Sequence, residues 1–238
     1  MLPSQAAFQR PTALSAMIPN FDPRQVPVVG RDMHLPAVPA AQQSPSALRA
    51  RFAQPPQWRP EVRKEQRFAS RAPASAAVLV PLVQRNELTV LLTQRTQQLS
   101  THSGQIAFPG GKQDPEDADA VATALREAHE EVGLPAQQVE VLGSLPLYET
   151  GTAFMVTPVV ALVQPDVVLQ PNPDEVADVF GVPLRFLLDP ANHQRHRLHW
   201  QGLEREWFSM PYMDGAAERY IWGATAGMLR NFYRFMSA

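Results

Sequence analysis

Apolar residues along this chain follow two different periods. Residues 76–83 make a short, almost unbroken apolar run containing Pro81, and residues 87–93 repeat the pattern after the polar Gln84, Arg85 and Asn86. Runs of this length, rich in Val and Leu and bounded by turn residues, predict two strands joined by a tight turn. Residues 105–108 predict a shorter strand leading into Pro109, Gly110 and Gly111. Over residues 119–132 the period becomes that of a helix, which stops at Gly133 with Pro135 just beyond. Residues 139–145 and 155–163 read as strands again. Asn172, Pro173, Asp174 and Glu175 form a turn into a short apolar segment, and residues 197–208 alternate as strands on either side of Gly202. An apolar helix over residues 221–236 closes the chain. Strands, a central helix, more strands and a last helix predict an α/β fold in which a mixed β-sheet carries packed helices.

Residues 1–70 differ. They hold eleven of the 24 prolines and show no sustained apolar period. Proline fixes φ and removes a donor, so extended segments and turns are expected, with at most one short helix. That helix is placed at 44–52, with Ser44 as N-cap and Pro45 at the first helical position. Phe8, Phe21, Phe52 and Trp58 are the side chains available to dock on a folded body. The chain therefore divides into a partly ordered, Pro-rich N-terminal arm, residues 1–70, and a folded domain, residues 71–238.

Composition narrows the chemistry. With no cysteine among 238 residues, a disulfide framework, a thiolate metal site and a cysteine nucleophile are all excluded. A net charge of −2 argues against a protein built to hold bulk nucleic acid. No stretch approaches the ~18 apolar residues of a membrane span, so no membrane partner is expected. The first residues lack a basic region followed by an apolar one, and a cytoplasmic location is the expectation. The basic residues are nineteen Arg and only Lys64 and Lys112, an excess read as compositional except where an Arg falls in a motif. His193, His196 and His199 stand three apart at the entry to a strand, where alternate side chains point to opposite faces, which speaks against a metal cluster. Trp207, Phe208, Tyr212, Tyr220 and Trp222 are better explained by core packing than by stacking on a base. The closing helix is either core or a dimer surface, so a homodimer stays open.

The central helix carries the strongest chemical signal. On a wheel with Glu127 at the origin, Glu130 falls at about −60° and Glu131 at about +40°. Three carboxylates thus share one arc, while Val121, Leu125, Ala128 and Val132 occupy the opposite side and must meet the sheet. Arg126 lies beside the acids, within i, i+4 reach of Glu130. Like charges at this spacing repel, and the macrodipole disfavours them near a helix C-terminus. Such an arrangement is sustained by function more readily than by stability. The loop of Phe108, Pro109, Gly110 and Gly111 is able to bring bare backbone amides close to an anion. Carboxylates beside a glycine loop suit a hard dication bridging a phosphorylated substrate.

These residues resemble the Nudix box, Gly-x5-Glu-x7-Arg-Glu-apolar-x-Glu-Glu-x-Gly-apolar. Arg126, Glu127, Glu130, Glu131, Gly133 and Leu134 occupy its second half, and Gly111 its start, with one residue more between Gly111 and Arg126. The early acid of the box corresponds to Glu116 or Asp117. The preceding stretch, Leu91, Leu92, Thr93, Arg95, Gly104 and then Phe108, Pro109, Gly110, Gly111, is similar to the coenzyme A pyrophosphatase branch, as are Lys112, Asp114, Pro115 and Asp117. Ser100 stands where that branch usually carries Arg.

The resemblance implies a Nudix-like α/β/α sandwich with a mixed β-sheet, spanning about residues 75–230. It implies a Mg²⁺- or Mn²⁺-dependent hydrolase that cuts the diphosphate of coenzyme A or a derivative into 3′,5′-ADP and 4′-phosphopantetheine. Glu127, Glu130 and Glu131 would hold the metal, and Arg126 would orient them. The base would be a box glutamate or Glu175. Gly110 and Gly111 would let the loop approach metal and phosphate, and Arg95, His102 and Phe108 would contact the substrate. The alternatives are hydrolysis of another nucleoside diphosphate derivative, such as ADP-ribose or a dinucleotide, and a non-catalytic ligand sensor. The intact acidic core speaks against the sensor.

Overall fold

The computed structural model describes residues 22–67, 69, 71–96, 104–200 and 203–238. In chain order the elements are β1 (Val28–Arg31), α1 (Pro45–Ala53), β2 (Ala74–Gln84), β3 (Leu88–Arg95), β4 (Ile106–Ala107), β5 (Gly110–Lys112), α2 (Ala120–Val132), β6 (Val139–Ser144) and β7 (Tyr148–Glu149). There follow β8 (Phe154–Val163), β9 (Val176–Pro183), α3 (Leu184–Leu187), β10 (Gln194–Trp200), β11 (Leu203–Asp214), β12 (Ala217–Trp222) and α4 (Gly223–Met236).

An eight-stranded mixed sheet forms the centre, with the path β4-β3-β2-β8-β6 and with β5, β7 and β9 pairing on β2, β8 and β3. Strands β2 and β8 run parallel in the middle, in register from Ala74↔Phe154 to Val83↔Val163. A central strand is covered on both faces, which is why its sequence reads as an unbroken apolar run. The faces still alternate. Ala76, Val80 and Leu82 of β2 enter one core with Val156, Val160 and Leu162 of β8. Ala77, Leu79 and Val83 enter the other with Val159, Ala161 and Val163. Each buried Leu or Val contributes about 1.5–3 kcal/mol.

Helix α2 covers the second face through Ala124, Ala128 and Val132, with Val121 and Leu125 partly buried beside them. Asp119 caps its N-terminus, its side chain accepting from the Ala122 amide at 2.9 Å. Helix α4 covers the first face, completing the α/β/α layering. The expected helix over 221–236 begins later than its apolarity suggested. Ile221 and Trp222 are the last residues of β12, paired with Met210 and Ser209, and the helix starts at Gly223. Apolar residues serve a buried strand and a buried helix equally well, so hydropathy alone did not mark the junction. Within α4 every residue but Ala224 and Arg234 is buried by its own chain, which makes this helix core and removes it as a dimer surface.

A second, four-stranded antiparallel sheet, β1-β10-β11-β12, lies alongside. Strands β10 and β11 flank residues 201–202, which include the expected turn at Gly202 and lie outside the described residues. Helix α1 forms as the sequence predicts: the Ser44 hydroxyl accepts from the Ala47 amide at 3.2 Å and Pro45 occupies the first turn. Phe52 and Trp58 dock on Phe235, with ring centroids 4.7 and 5.3 Å away. Phe8 and Phe21 lie outside the described residues. Val38 and Leu48 enter the core of the first face, and Asn231 exchanges two hydrogen bonds with the Val62 backbone.

Candidate functional site

The acids of α2 occupy a gradient of burial set by the helical wheel. The Glu131 side chain is 4% exposed, that of Glu127 is 16% and that of Glu130 is 54%. Glu131 lies on the arc next to Ala124 and Ala128, so the helix carries its carboxyl partly under the sheet. Burial pushes Glu131 up to about 7, against the opposing pull of the Gly110 amide and Arg95 and with further upward pressure from Glu127 and Glu175. Glu127 is raised as well, first by desolvation and with contributions from Glu130 and Glu175, while Arg126 pulls it down.

The glycine loop reaches this cluster through its backbone. The Gly110 amide donates to Glu131 Oε2 at 3.2 Å. Gly110 sits at φ 156°, and a Cβ there would lie 2.4 Å from the Ala77 carbonyl oxygen. A Cβ on Gly111 would lie 2.5 Å from Glu127 Oε1. Both positions therefore demand the absence of a side chain, one for the sheet and one for the carboxylate. Phe108, expected to contact substrate, is instead 3% exposed and belongs to the core on the far face of the sheet. Apolar burial outcompetes ligand contact at that position.

Arg126 organises the solvent side. It donates through Nε and Nη2 to Asp117 at 3.0 and 2.9 Å, and through Nη1 to Glu130 at 2.9 Å, with Glu127 Oε1 3.1 Å away. Its Nη2 also donates to the Lys112 carbonyl at 3.2 Å. This fork holds the Asp117 carboxyl far below the usual carboxylate range. Of the two candidates for the early acid, Asp117 is the one engaged and Glu116 is exposed. The turn decides between them: Asp114 donates its amide to Asp117 Oδ2 and accepts from the Asp117 amide.

Glu175 arrives by docking of its turn on the end of α2. Asn172 and Gln170 donate their amides to the carbonyls of Glu131 and Val132, each at 2.9 Å, and Asn172 accepts from the amides of Glu175 and Val176. The Glu175 carbonyl accepts from the Thr96 amide at 3.0 Å, and its carboxylate lies near enough to raise both Glu127 and Glu131. Arg95, the last residue of β3, places Nη1 3.5 Å from Glu131 Oε1, while its Nε is buried with no hydrogen-bond partner among the described residues. His102 lies outside the described residues.

The structure thus brings Arg95, Gly110, Gly111, Arg126, Glu127, Glu130, Glu131 and Glu175 together. Sequence reasoning left Asp117 off the site, although it had that residue as one of two candidates for the early acid. Among the described residues no three acids or histidines converge tightly enough to cage an ion unaided. The donors are nevertheless all hard carboxylate oxygens, two of them with proton affinity raised by burial and mutual repulsion. Donors of that kind suit a dication whose remaining positions are filled by water and substrate oxygen, which is how Mg²⁺ is commonly held. The side chains of the histidine series have other partners: His193 bonds the Leu187 carbonyl and Arg230, His196 bonds Ser209 and the Val26 carbonyl, and His199 pairs with Glu204. Trp207 stacks on His196 and Tyr220 bonds the Pro23 carbonyl, so these aromatics serve packing. A cavity of about 830 Å³ lies elsewhere, between residues 60–65 and the second sheet, and none of its lining residues belongs to the acidic cluster.

The NUDIX domain model matches residues 73–201. A protein described as an uncharacterized Nudix hydrolase, NudL, of Yersinia enterocolitica is 43% identical over 155 residues, covering 65% of this chain and 77% of its own. That of Yersinia pestis is 40% identical over 162 residues, covering 68% and 79%. Among solved structures, a MutT/nudix family protein from Enterococcus faecalis aligns with a TM-score of 0.43 at 19% identity, covering 81% of this chain and 70% of that one. An Ap4A hydrolase of C. elegans, in a binary complex, aligns with 0.41 at 23% identity, covering 50% and 85%.

Proposed function

We propose, from the premise that the chain belongs to the Nudix hydrolase family, that its substrate is coenzyme A or one of its derivatives. Membership makes it a hydrolase of phosphoric anhydride bonds that acts on a nucleoside diphosphate derivative, in a family that generally uses divalent ions such as Mg²⁺ or Mn²⁺. One observation carries the narrower reading. The stretch similar to the coenzyme A pyrophosphatase branch is the one that wraps the acids: Arg95 meets Glu131, Gly110 donates to Glu131, and Gly111 leaves room for Glu127.

Glu127, Glu130 and Glu131 would hold the dication, with Arg126 and Asp117 fixing the solvent side of that set. When bound, the ion neutralises diphosphate oxygens and acidifies a water. Arg95, a quarter exposed at the end of β3, binds a phosphate oxygen, for which a guanidinium is well shaped. A water attacks phosphorus in line, the bridging P–O bond breaks, and the Glu175 carboxylate takes the proton. The products are two phosphomonoesters, 3′,5′-ADP and 4′-phosphopantetheine.

Ser100, in place of the Arg usual in that branch, favours one second reading, a different nucleoside diphosphate derivative such as ADP-ribose or a dinucleotide. The decisive experiment incubates the protein with Mg²⁺ or Mn²⁺ and coenzyme A, its oxidised and acylated forms, ADP-ribose and dinucleotides, and identifies products by mass. Coenzyme A should give the adenosine bisphosphate and the phosphopantetheine. Intact coenzyme A beside cleaved ADP-ribose would replace the first reading with the second.

A further inference from the structure

Arg219 lies on β12 in the second sheet, yet its guanidinium reaches the central one. It donates through Nη1 to Gln94 Oε1 at 3.1 Å and through Nη2 to Asp178 Oδ2 at 2.6 Å. Nε and Nη2 both reach Asp214 Oδ2, at 3.1 and 3.0 Å, and the group lies 4.3 Å over the Phe180 ring. The side chain is only 15% exposed.

Its two acceptors on the central sheet are a cross-strand pair with a special place. Gln94 of β3 faces Asp178 of β9, and the next pair is Arg95 with Val176, so the register shifts there and Ala177 is the extra residue. Bulges re-aim side chains and are common beside active sites. Everything past this one belongs to the site: Arg95 turns to Glu131, and the Thr96 amide donates to the Glu175 carbonyl at 3.0 Å. A bulge displaced by one residue would change the pairing of the β9 residues that lead back to Glu175, whereas β3 at Arg95 is held on its other edge by β4 and the Gln105 carbonyl.

We propose that Arg219 is a positioning residue for the hydrolytic site, gripping Gln94 and Asp178 as the last in-register pair so that the bulge at Ala177 stays where it delivers Glu175 beside Thr96 and the acids of α2. The inference rests on the reading of Arg95, Glu131 and Glu175 as parts of that site. Its chemistry asks for Arg: acceptors on three strands are met by a planar fork, which a point-charge ammonium does not reproduce. The competing role is a plain tie between two sheets, which would cost stability and leave the chemistry of folded molecules alone.

The test compares Arg219→Met, Arg219→Lys, Asp214→Asn and Glu131→Gln in the full chain. It measures kcat and KM on coenzyme A and ADP-ribose with Mn²⁺, melting temperature, and hydrogen exchange of the Thr96 amide in metal-free protein. Arg219→Met should lower kcat about tenfold or more while KM moves less than about threefold. Exchange at Thr96 should quicken by about tenfold, and Arg219→Lys should recover part of both. Combined with Glu175→Gln, Arg219→Met should add little further loss in kcat, since it acts through that side chain. Unchanged kcat and unchanged Thr96 exchange with a lower melting temperature would leave only the tie and overturn the proposal. A rise in KM alone would overturn it too, by making Arg219 a substrate ligand. Should Arg219→Met not fold, Arg219→Lys and Asp214→Asn carry the same comparison. If Glu131→Gln leaves turnover intact, the site reading has failed, and Thr96 exchange still reports on the clamp by itself.

Discussion

The three glutamates of α2 share an arc but not an environment. Glu131 is the most desolvated and is held by the Gly110 amide, whereas Glu130 faces solvent and is steered by Arg126. Glu131→Gln keeps the shape and removes the charge that a dication would meet. Each of Glu130→Gln and Glu131→Gln should lower turnover by about three orders of magnitude, roughly 4 kcal/mol in the barrier. Steady-state rates with Mg²⁺ or Mn²⁺ on purified, folded variants check this, and near-normal rates in both would end the metal assignment. Asp117 belongs to the same scale. It does its work at one remove, by fixing the guanidinium that fixes the glutamates.

At the level of elements, the site is a meeting of one helix, one loop, one strand end and one turn. Helix α2 supplies charge, the β5 loop supplies an amide and two positions without side chains, the end of β3 supplies Arg95, and the turn before β9 supplies Glu175. The closeness of loop and helix yields a sharp expectation for Gly111→Ala. The new methyl would meet the Glu127 carboxylate at 2.5 Å, and the carboxylate, not the sheet, is what gives way. Turnover should fall about tenfold or more, ~1.4 kcal/mol in the barrier, with little change in melting temperature. A crystal structure of the variant should show Glu127 displaced. Full activity in Gly111→Ala would mean that Glu127 does not need its present position.

Across the whole molecule, the second sheet and the segment before residue 71 meet α4 through a buried ionic cluster. Arg230, 1% exposed, reaches Asp32 at 2.7 Å, Glu61 at 2.8 Å and His193 Nδ1 at 3.1 Å. Burial lowers His193 from the ordinary 6.5 to about 4, with the neighbouring Arg230 adding to this and Leu187, Asp32 and Asp189 opposing it. A histidine depressed in the folded state binds fewer protons there than in the unfolded chain between pH 6.5 and 4. Its stabilising contribution is therefore complete above 6.5 and is lost as pH falls towards 4. Urea unfolding should show a loss of roughly 2 kcal/mol from this group between pH 7 and pH 5. The variant His193→Gln, less stable at pH 7, should lack that share of the slope. An equal slope in both proteins would place the acid sensitivity elsewhere.

Local signals were sufficient wherever a short-range rule governs the chain. The N-cap of α1, the C-terminal stop of α2, the central strands, the acidic arc and the Arg126–Glu130 pair all follow from periodicity, capping and i, i+4 geometry, and the family follows from residues close together in sequence. What depended on distant partners stayed hidden. Phe108 was a core residue because of the layer beneath it, Asp117 was preferred to Glu116 by a turn's hydrogen bonds, and the start of α4 was masked by the apolar end of β12. The reach of Arg219 across two sheets joins residues up to 125 apart in the chain. Sequence encodes such contacts only through the folded surface that brings them within ångströms, and only the tertiary structure decides them.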